Sequence, residues 1–579
     1  MKKTGAELVR YALEQIGVIH TFGIPGVHNT EIYDQLNMSD TITPILVTHE
    51  GGAAFMADAV SRVGRGVGTL VVVPAAGLTH ASSGIGEAFL DGIPMLVICG
   101  GVRNDLEFEY QLHQMDQHKF MSGLTKRTFY PQAHAEIVPS LFEAYDIATG
   151  GEPGPVFVEI PVNLQLMKGE VPDMPSYQRQ EPVEISVDDQ AILKAAEILK
   201  SSKRPGIFAG WGARGAADLL KEIAEKLEAP VATTLQGISV FPETHPLHAG
   251  MGYGPSAVPA AQAAFEECDA LIAIGTRFSE IPTGSFGITV PDNLIHIDIN
   301  PDAIGANYPA KVGLEADARV ALKALTFALG NDTGRDKRLK RGLRGIIEAE
   351  KRNYRKEWKE HDSGEAVNPL SFFDALRAEL PDDGIVVVDD GNHTFLAAEL
   401  LSIRHTNGFI CPSDFNCMGY ATPAAIGAKL ANPDKDVVAI VGDGAFTMTC
   451  MEILTATRNK VGAVFCVFND GELSQIAQAQ ELPYNRKSCT VLGDLNLQGV
   501  ALATGAEYLQ LVNNEESDQI LSKALQIARN SKPVIVDVAI DYSKKTAFTK
   551  GTVQTNFKRF PAGTKMRFLG RALMRKVTG

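Results

Sequence analysis

The sequence predicts an α/β protein built from three doubly wound parallel-sheet domains. Three observations lead there. Short, near-continuous apolar runs at residues 68–74, 94–100 and 155–161 read as strands buried on both faces, as in parallel sheets covered by helices. Such runs alternate with helical stretches along the whole chain. Two polar segments, 171–187 without apolar periodicity and 331–366 dense in charge, divide the 579 residues into units long enough to bury their own cores.

The first unit spans 1–170. Residues 4–17 predict an amphipathic helix, and 20–23 and 44–48 predict short strands. The turn Gly23-Ile24-Pro25-Gly26 follows the first of these, and His49-Glu50-Gly51-Gly52 follows the second. The small residues of 53–59 suit a tightly packed helix. Residues 171–187 form a linker. The second unit, 188–330, opens with strand, glycine turn and helix over 204–215, then adds strands at 270–275 and 294–300. The Gly210–Gly215 loop lacks the clean GxGxxG spacing, so a structural turn explains it as well as a dinucleotide does.

Residues 331–366 are dense in charge and predict a solvated helix and connector. The third unit, 367–545, supplies strands at 384–388, 437–441, 461–468 and 533–540. From Lys544 onward there are ten Lys or Arg residues and no Asp or Glu. This basic arm, 546–579, carries Phe557, Phe560, Phe568 and Leu573. It is expected to pack over the acidic body, or else to act as an active-site lid or membrane-surface segment.

Bulk properties exclude several classes. A hydrophobic content of 45% with 21% charge is ordinary for a globular protein. The net charge of −15 argues against nucleic acid as a partner. Seven scattered cysteines without a CxxC pair favour reduced thiols and a cytoplasmic location. Glu7, Arg10 and Glu14 make the first 17 residues an amphipathic helix and not a signal peptide. No apolar run reaches the roughly 20 residues that span a bilayer.

The chemistry concentrates at one stretch. An apolar run ends in Gly442-Asp443-Gly444-Ala445, a helix is expected over 448–459, and the next apolar run ends in Asn469-Asp470-Gly471-Glu472. Parallel neighbouring strands would bring Asp443 and Asp470, 470 − 443 = 27 positions apart, to one sheet mouth. Two oxygen ligands there suit a hard cation such as Mg²⁺. The helix that follows offers N–H groups to a phosphate.

These motifs resemble the diphosphate and magnesium turn of thiamine diphosphate-dependent enzymes, and among these the acetolactate synthase (acetohydroxyacid synthase) group. The resemblance covers essentially the whole chain and names the three domains pyrimidine-binding, central and diphosphate-binding. It implies that Asp443 and Asp470 are metal ligands, joined by the Glu472 backbone carbonyl. Gly442, Gly444, Ala445 and the following Leu473, Ser474, Gln475 and Ile476 would line the cofactor. Asp390-Gly391-Asn392-His393 resembles the turn that contacts the diphosphate, with Asn392 in place of the usual Gln. Met418, in Cys417-Met418-Gly419-Tyr420, would prop the cofactor into its bent form. Glu50 would hydrogen-bond the aminopyrimidine ring, where a carboxyl can relay a proton.

Middle-domain runs such as Ala213-Arg214-Gly215 and Gly275-Thr276-Arg277-Phe278 resemble the same group, parts of which bind FAD there. The glycine loop and Arg277 permit FAD without demanding it. The substrate side departs from the biosynthetic enzymes. His28 stands where a small residue is usual, His80 where Asn is usual, and His113 where Phe is usual, whereas Gln114 matches the family's active-site glutamine. The Trp that helps select 2-oxobutyrate is missing from 475–480. Three histidines expected at one cleft suggest acid/base work on a carbonyl or binding of a polar substrate.

The resemblance thus implies an enzyme that makes or breaks C–C bonds on a 2-oxo acid or diketone, with an aldehyde or ketone as acceptor. An acetolactate synthase-like carboligase is the first expectation. A 2-oxo acid decarboxylase or diketone-cleaving hydrolase is the second, and a flavin-dependent oxidoreductase of pyruvate oxidase type the third. Active sites at a subunit interface would make the enzyme a homodimer or homotetramer.

Overall fold

Three six-stranded parallel sheets, one per unit, carry the chain in the computed structural model, which describes residues 1–64, 66–179, 187–330 and 337–578. The first sheet runs in space as Thr43–Leu46, His20–Gly23, Gly68–Val72, Met95–Gly101, Pro155–Pro161 and Thr128–Phe129. The third runs as Phe409–Ile410, Ile385–Val388, Val437–Gly442, Val464–Phe468, Val534–Val538 and Glu507–Leu511. Numbered along the chain, the strands of both sheets follow the order 2-1-3-4-6-5. The middle sheet follows 3-2-1-4-5-6, from His248–Met251 to Val312–Glu315. In each, the order reverses beside the first strand, which opens a crevice at the carboxyl ends of the central strands.

The strands match the apolar runs closely, because these are buried on both faces. Met95–Gly101 and Pro155–Pro161 are buried at every position. The run 461–468 enters the ladder only at Val464. At Gly462 the chain passes so close to Ala528 that a Cβ would stand 1.8 Å from its carbonyl oxygen. The first helix is Gly5–Gln15, set by a capping box: Glu7 N–H donates to Thr4 Oγ1 at 3.2 Å and Thr4 N–H to Glu7 Oε2 at 2.8 Å.

Several expectations need correction. The helix expected over 448–459 begins at Asp443 and is broken into Asp443–Thr449, a 3₁₀ turn Cys450–Glu452, and Ile453–Arg458. Two β-branched threonines weaken it there. Thr449 Oγ1 bonds the Gly419 carbonyl at 2.9 Å, and Glu452 is drawn to the first domain. The connector is more than a solvated helix. Within Lys337–Lys359, Trp358 is fully buried and Ile347 and Tyr354 are buried; residues 331–336 lie outside the described residues. In the 171–187 linker, Tyr177 docks on Phe142 and Tyr145 and donates to Asp146 at 2.7 Å; 180–186 lie outside the described residues. An antiparallel pair unforeseen in the sequence, Lys2–Thr4 with Lys168–Glu170, ties the ends of the first domain together.

The first and third domains share one core. Helix Glu50–Val63 packs on helix Ala421–Ala431 so closely that a Cβ on Gly427 would meet the Met56 carbonyl oxygen at 2.3 Å. Fully buried Arg62 clamps the junction, pairing with Asp58 at 2.6 Å and Asp91 at 2.8 Å. Tyr420 donates to the same Asp58 at 2.6 Å. The basic arm bridges the other two domains. Phe548 of helix Ala547–Arg559 stacks on Phe395 at 4.0 Å, and Arg559 donates to the Phe286 carbonyl at 2.8 Å. Its last helix, Ala562–Thr578, lies against helix Ser474–Tyr484.

The seven cysteines are all free. Among the described residues no helix is long and apolar enough to cross a membrane.

Candidate functional site

The switch point of the third sheet carries a pocket lined by 390–393, Met418, 442–445, Asp470 and 472–476, with Phe468 and Tyr542. Every lining residue comes from the third domain. Strands Val437–Gly442 and Val464–Phe468 are parallel neighbours with Gly442 opposite Phe468, so the two motif turns meet as the spacing predicts. The Asp443 carboxylate is 3% exposed. It accepts N–H bonds from Gly444 at 2.7 Å, Gly471 at 2.7 Å and Asp470 at 3.3 Å. The first carboxylate thus shapes the turn that presents the second.

The electrostatics call for a cation. Burial raises the Asp443 carboxyl above its ordinary range. Burial, with Asp443 adding repulsion, pushes Asp470 up to about 6. Two carboxylates held close together in a pocket would be stabilised by a divalent ion. The Glu472 side chain is not free for this, because Lys487 holds it at 2.5 Å. Glu472 bridges antiparallel to Val491 through Leu473 N–H to Thr490 O and Leu492 N–H to Gly471 O. In that pattern the Glu472 N–H and C=O turn away from the bridge partner. Gly391, at φ 151°, caps helix Asn392–Leu400. His393 is 3% exposed, and burial lowers it to about 3, so it stays neutral.

The second half lies at the mouth of the first sheet. Glu50 is 7% exposed and opens helix Glu50–Val63, with His49 as N-cap. Its Oε2 stands 3.1 Å from His80 Nδ1. The rings of His80 and His49 stack at 4.7 Å. His28 belongs to a separate pair, 5.3 Å edge-on from His113. Burial and the neighbouring His113 lower its pKa. The His28 carbonyl accepts from Gln165 Nε2 at 2.8 Å, and Asn29 braces the loop through Gly26 N–H at 2.7 Å.

Three family descriptions match in chain order. "Thiamine pyrophosphate enzyme, N-terminal TPP binding domain" matches residues 3–120, the central domain 192–325, and "C-terminal TPP binding domain" 389–538. The chain is 32% identical over 559 residues to a probable acetolactate synthase large subunit of Methanocaldococcus jannaschii, covering 93% of this chain and 92% of that one. The chain belongs to the acetolactate synthase family of thiamine pyrophosphate enzymes. The acetolactate synthase large subunit of Corynebacterium glutamicum is also 32% identical, over 93% of this chain and 87% of its own. The isozyme 1 large subunit of Escherichia coli is 28% identical over 94% and 95%.

Within this acetolactate synthase fold, the residues predicted for the diphosphate side all fall in one pocket. Those of the pyrimidine side pair as Glu50 with His80 and His28 with His113. Gln114 is exposed and accepts from Gln111 N–H at 2.8 Å, whereas the buried glutamine of this segment is Gln117. The small residues after Glu50 serve packing, since a Cβ on Gly52 would stand 2.5 Å from Glu452 Oε1 and one on Gly84 2.4 Å from Ala54 Cβ. Phe468, Tyr542, His49 and Glu452 escaped the sequence reading. The His beside Glu50 and the Phe beside Asn469-Asp470 were the only available signals.

Proposed function

We propose that this acetolactate synthase-family chain is a thiamine diphosphate- and Mg²⁺-dependent carboligase that joins the acyl unit of a small 2-oxo acid, pyruvate being the simplest, to a second carbonyl compound. One observation carries the reading: Asp443 and Asp470, both raised by burial, converge at the switch point of a thiamine pyrophosphate-enzyme domain. The fit to the cofactor is good. Asp443, Asp470 and the outward-turned Glu472 carbonyl would hold Mg²⁺, the turn 390–393 would hold the diphosphate, and Met418 would support the ring. When bound, thiamine diphosphate supplies a nucleophilic carbon for the donor carbonyl and an electron sink for loss of carbon dioxide.

The chain's own residues do the rest. Glu50 holds a proton at the aminopyrimidine nitrogen, and His80, 3.1 Å from its Oε2, shares that proton. His28 and His113 present ring nitrogens to the polar end of the substrate. Leu473, Ser474, Gln475 and Ile476 wall the pocket and exclude water. Glu50 is not among the residues lining the diphosphate pocket, which supports a homodimer or homotetramer in which another copy supplies it.

A dinucleotide reading of the middle domain has its own support. The 3-2-1-4-5-6 order is that of dinucleotide-binding sheets. A cavity of about 830 Å³ opens at its switch point, between Trp211-Gly212 and Gly275-Thr276-Arg277, closed by Asp91 and Asp414. The size and position of this cleft support FAD as its occupant. The free cysteines support a cytoplasmic enzyme.

The test is product analysis by mass spectrometry with pyruvate, thiamine diphosphate and Mg²⁺, with and without aldehyde and ketone acceptors. Acetolactate or a related hydroxyketone is expected. Acetaldehyde or a cleaved diketone as sole product would replace the carboligase reading with the decarboxylase or hydrolase one.

A further inference from the structure

A strained turn beside Glu50 is held by a side chain that belongs to no motif. Ala75 sits at φ 54°, ψ −91°, in a left-handed region that a residue with a Cβ avoids. It is the N-cap of helix Ala76–Asp91. Its N–H donates to Gln117 Oε1 at 3.0 Å. Gln117 is 2% exposed and starts the short helix Gln117–Met121. The thiol of buried Cys99 lies 3.4 Å from the same oxygen and 3.1 Å from the Gly100 carbonyl. The Ala75 N–H fixes which end of the amide faces the turn.

The turn carries the surface that meets Glu50. A Cβ at Gly77 would stand 3.1 Å from Glu50 Oε1 and 2.8 Å from Val73 Cγ2. One helical turn further on, His80 Nδ1 meets Glu50 Oε2 at 3.1 Å. A change in the Ala75 dihedrals would swing Gly77 and His80 together relative to the carboxylate. Without its acceptor, the Ala75 N–H would add an unmet hydrogen bond to the existing strain, and the backbone would relax.

We infer that Gln117 is a positioning residue for Glu50: it locks the left-handed Ala75 turn and so holds Gly77 and His80 against the Glu50 carboxylate. This rests on the reading of Glu50 as the group that activates the cofactor ring.

The experiment follows hydrogen–deuterium exchange at C2 of added thiamine diphosphate by NMR, in the full-length protein with Mg²⁺, with cofactor affinity measured by calorimetry. In Gln117→Met the exchange slows about tenfold or more, while cofactor affinity holds. Adding Ala75→Gly, which is at ease at positive φ, restores most of the rate. An unchanged rate in Gln117→Met, or a loss that Ala75→Gly does not restore, overturns the inference. Glu50→Gln runs alongside. If it collapses the exchange while Gln117→Met leaves it intact, only the positioning role falls. If Glu50→Gln leaves exchange intact, the reading of Glu50 itself falls. Should Gln117→Met not fold, the double variant decides: folded with near-normal exchange supports the inference, and unfolded overturns it.

Discussion

The Glu452 carboxylate accepts the backbone N–H of His49 at 2.9 Å and that of Thr48 at 3.1 Å, so a residue of the third domain caps the helix that begins at Glu50. Glu452 is 1% exposed and also accepts from Thr455 Oγ1 at 2.8 Å. Replacement by Ala would leave two partly buried N–H groups unpaired. Glu452→Ala is expected to cost about 3 kcal/mol in denaturant unfolding, and Glu452→Gln, which keeps an acceptor, clearly less. Equal stability for all three proteins would remove the capping role.

Cofactor binding should depend on the carboxylate pair. Asp443→Ala is expected to abolish Mg²⁺-dependent binding of thiamine diphosphate in calorimetry, and Asp470→Ala to weaken it strongly. Glu50→Gln should keep binding but lose nearly all turnover. Retained binding in Asp443→Ala would send the search for the metal elsewhere.

The histidines should separate into two kinds. His80→Ala is expected to lower the rate with every donor, because its partner is Glu50. His28→Ala and His113→Ala should instead shift the preference among 2-oxo acids differing in distal polarity. Competition assays with paired donors distinguish the two, and a flat profile for His28→Ala would return it to a structural role.

Ala75 offers a gain. Glycine occupies φ 54° without strain, so Ala75→Gly alone should stabilise the protein by about 1 kcal/mol. Thermal unfolding reads this directly; a lower midpoint would mean that the alanine methyl contributes packing that outweighs the backbone cost.

The basic arm should loosen with rising pH. Glu399 accepts from Ala547 N–H at 3.0 Å and Phe548 N–H at 2.8 Å, at the start of the arm's first helix. Burial outweighs these bonds and pushes Glu399 from 4.5 up to about 7. The folded state therefore holds an extra proton between these values, and stability falls as pH rises through that window. Limited proteolysis of the arm should accelerate from pH 5 to 7, and Glu399→Gln should flatten the response.

The fold is most legible in the sequence where one chemical requirement dominates. Strands buried on both faces leave an unmistakable apolar run, and Gly442-Asp443-Gly444 followed by Asn469-Asp470 fixes two adjacent strand ends. It is least legible where distant segments complete a site. Glu452 has no local signature, because its partners are backbone amides about four hundred residues away. Gln117 has no motif to mark it, and only its burial in the folded chain distinguishes it from exposed Gln114. The charges of 337–359 masked Trp358, since one buried face of a helix needs few apolar residues.

Helix Glu50–Val63 and helix Ala421–Ala431 have a further bearing on how the protein is made. Their shared core exists only when both are present. During synthesis the first helix emerges about 360 residues before its partner, which at ribosomal speed is roughly 20 to 70 s. For that interval its small-residue face has no cover, so slowing translation upstream of residue 421 is expected to lower the yield of native enzyme.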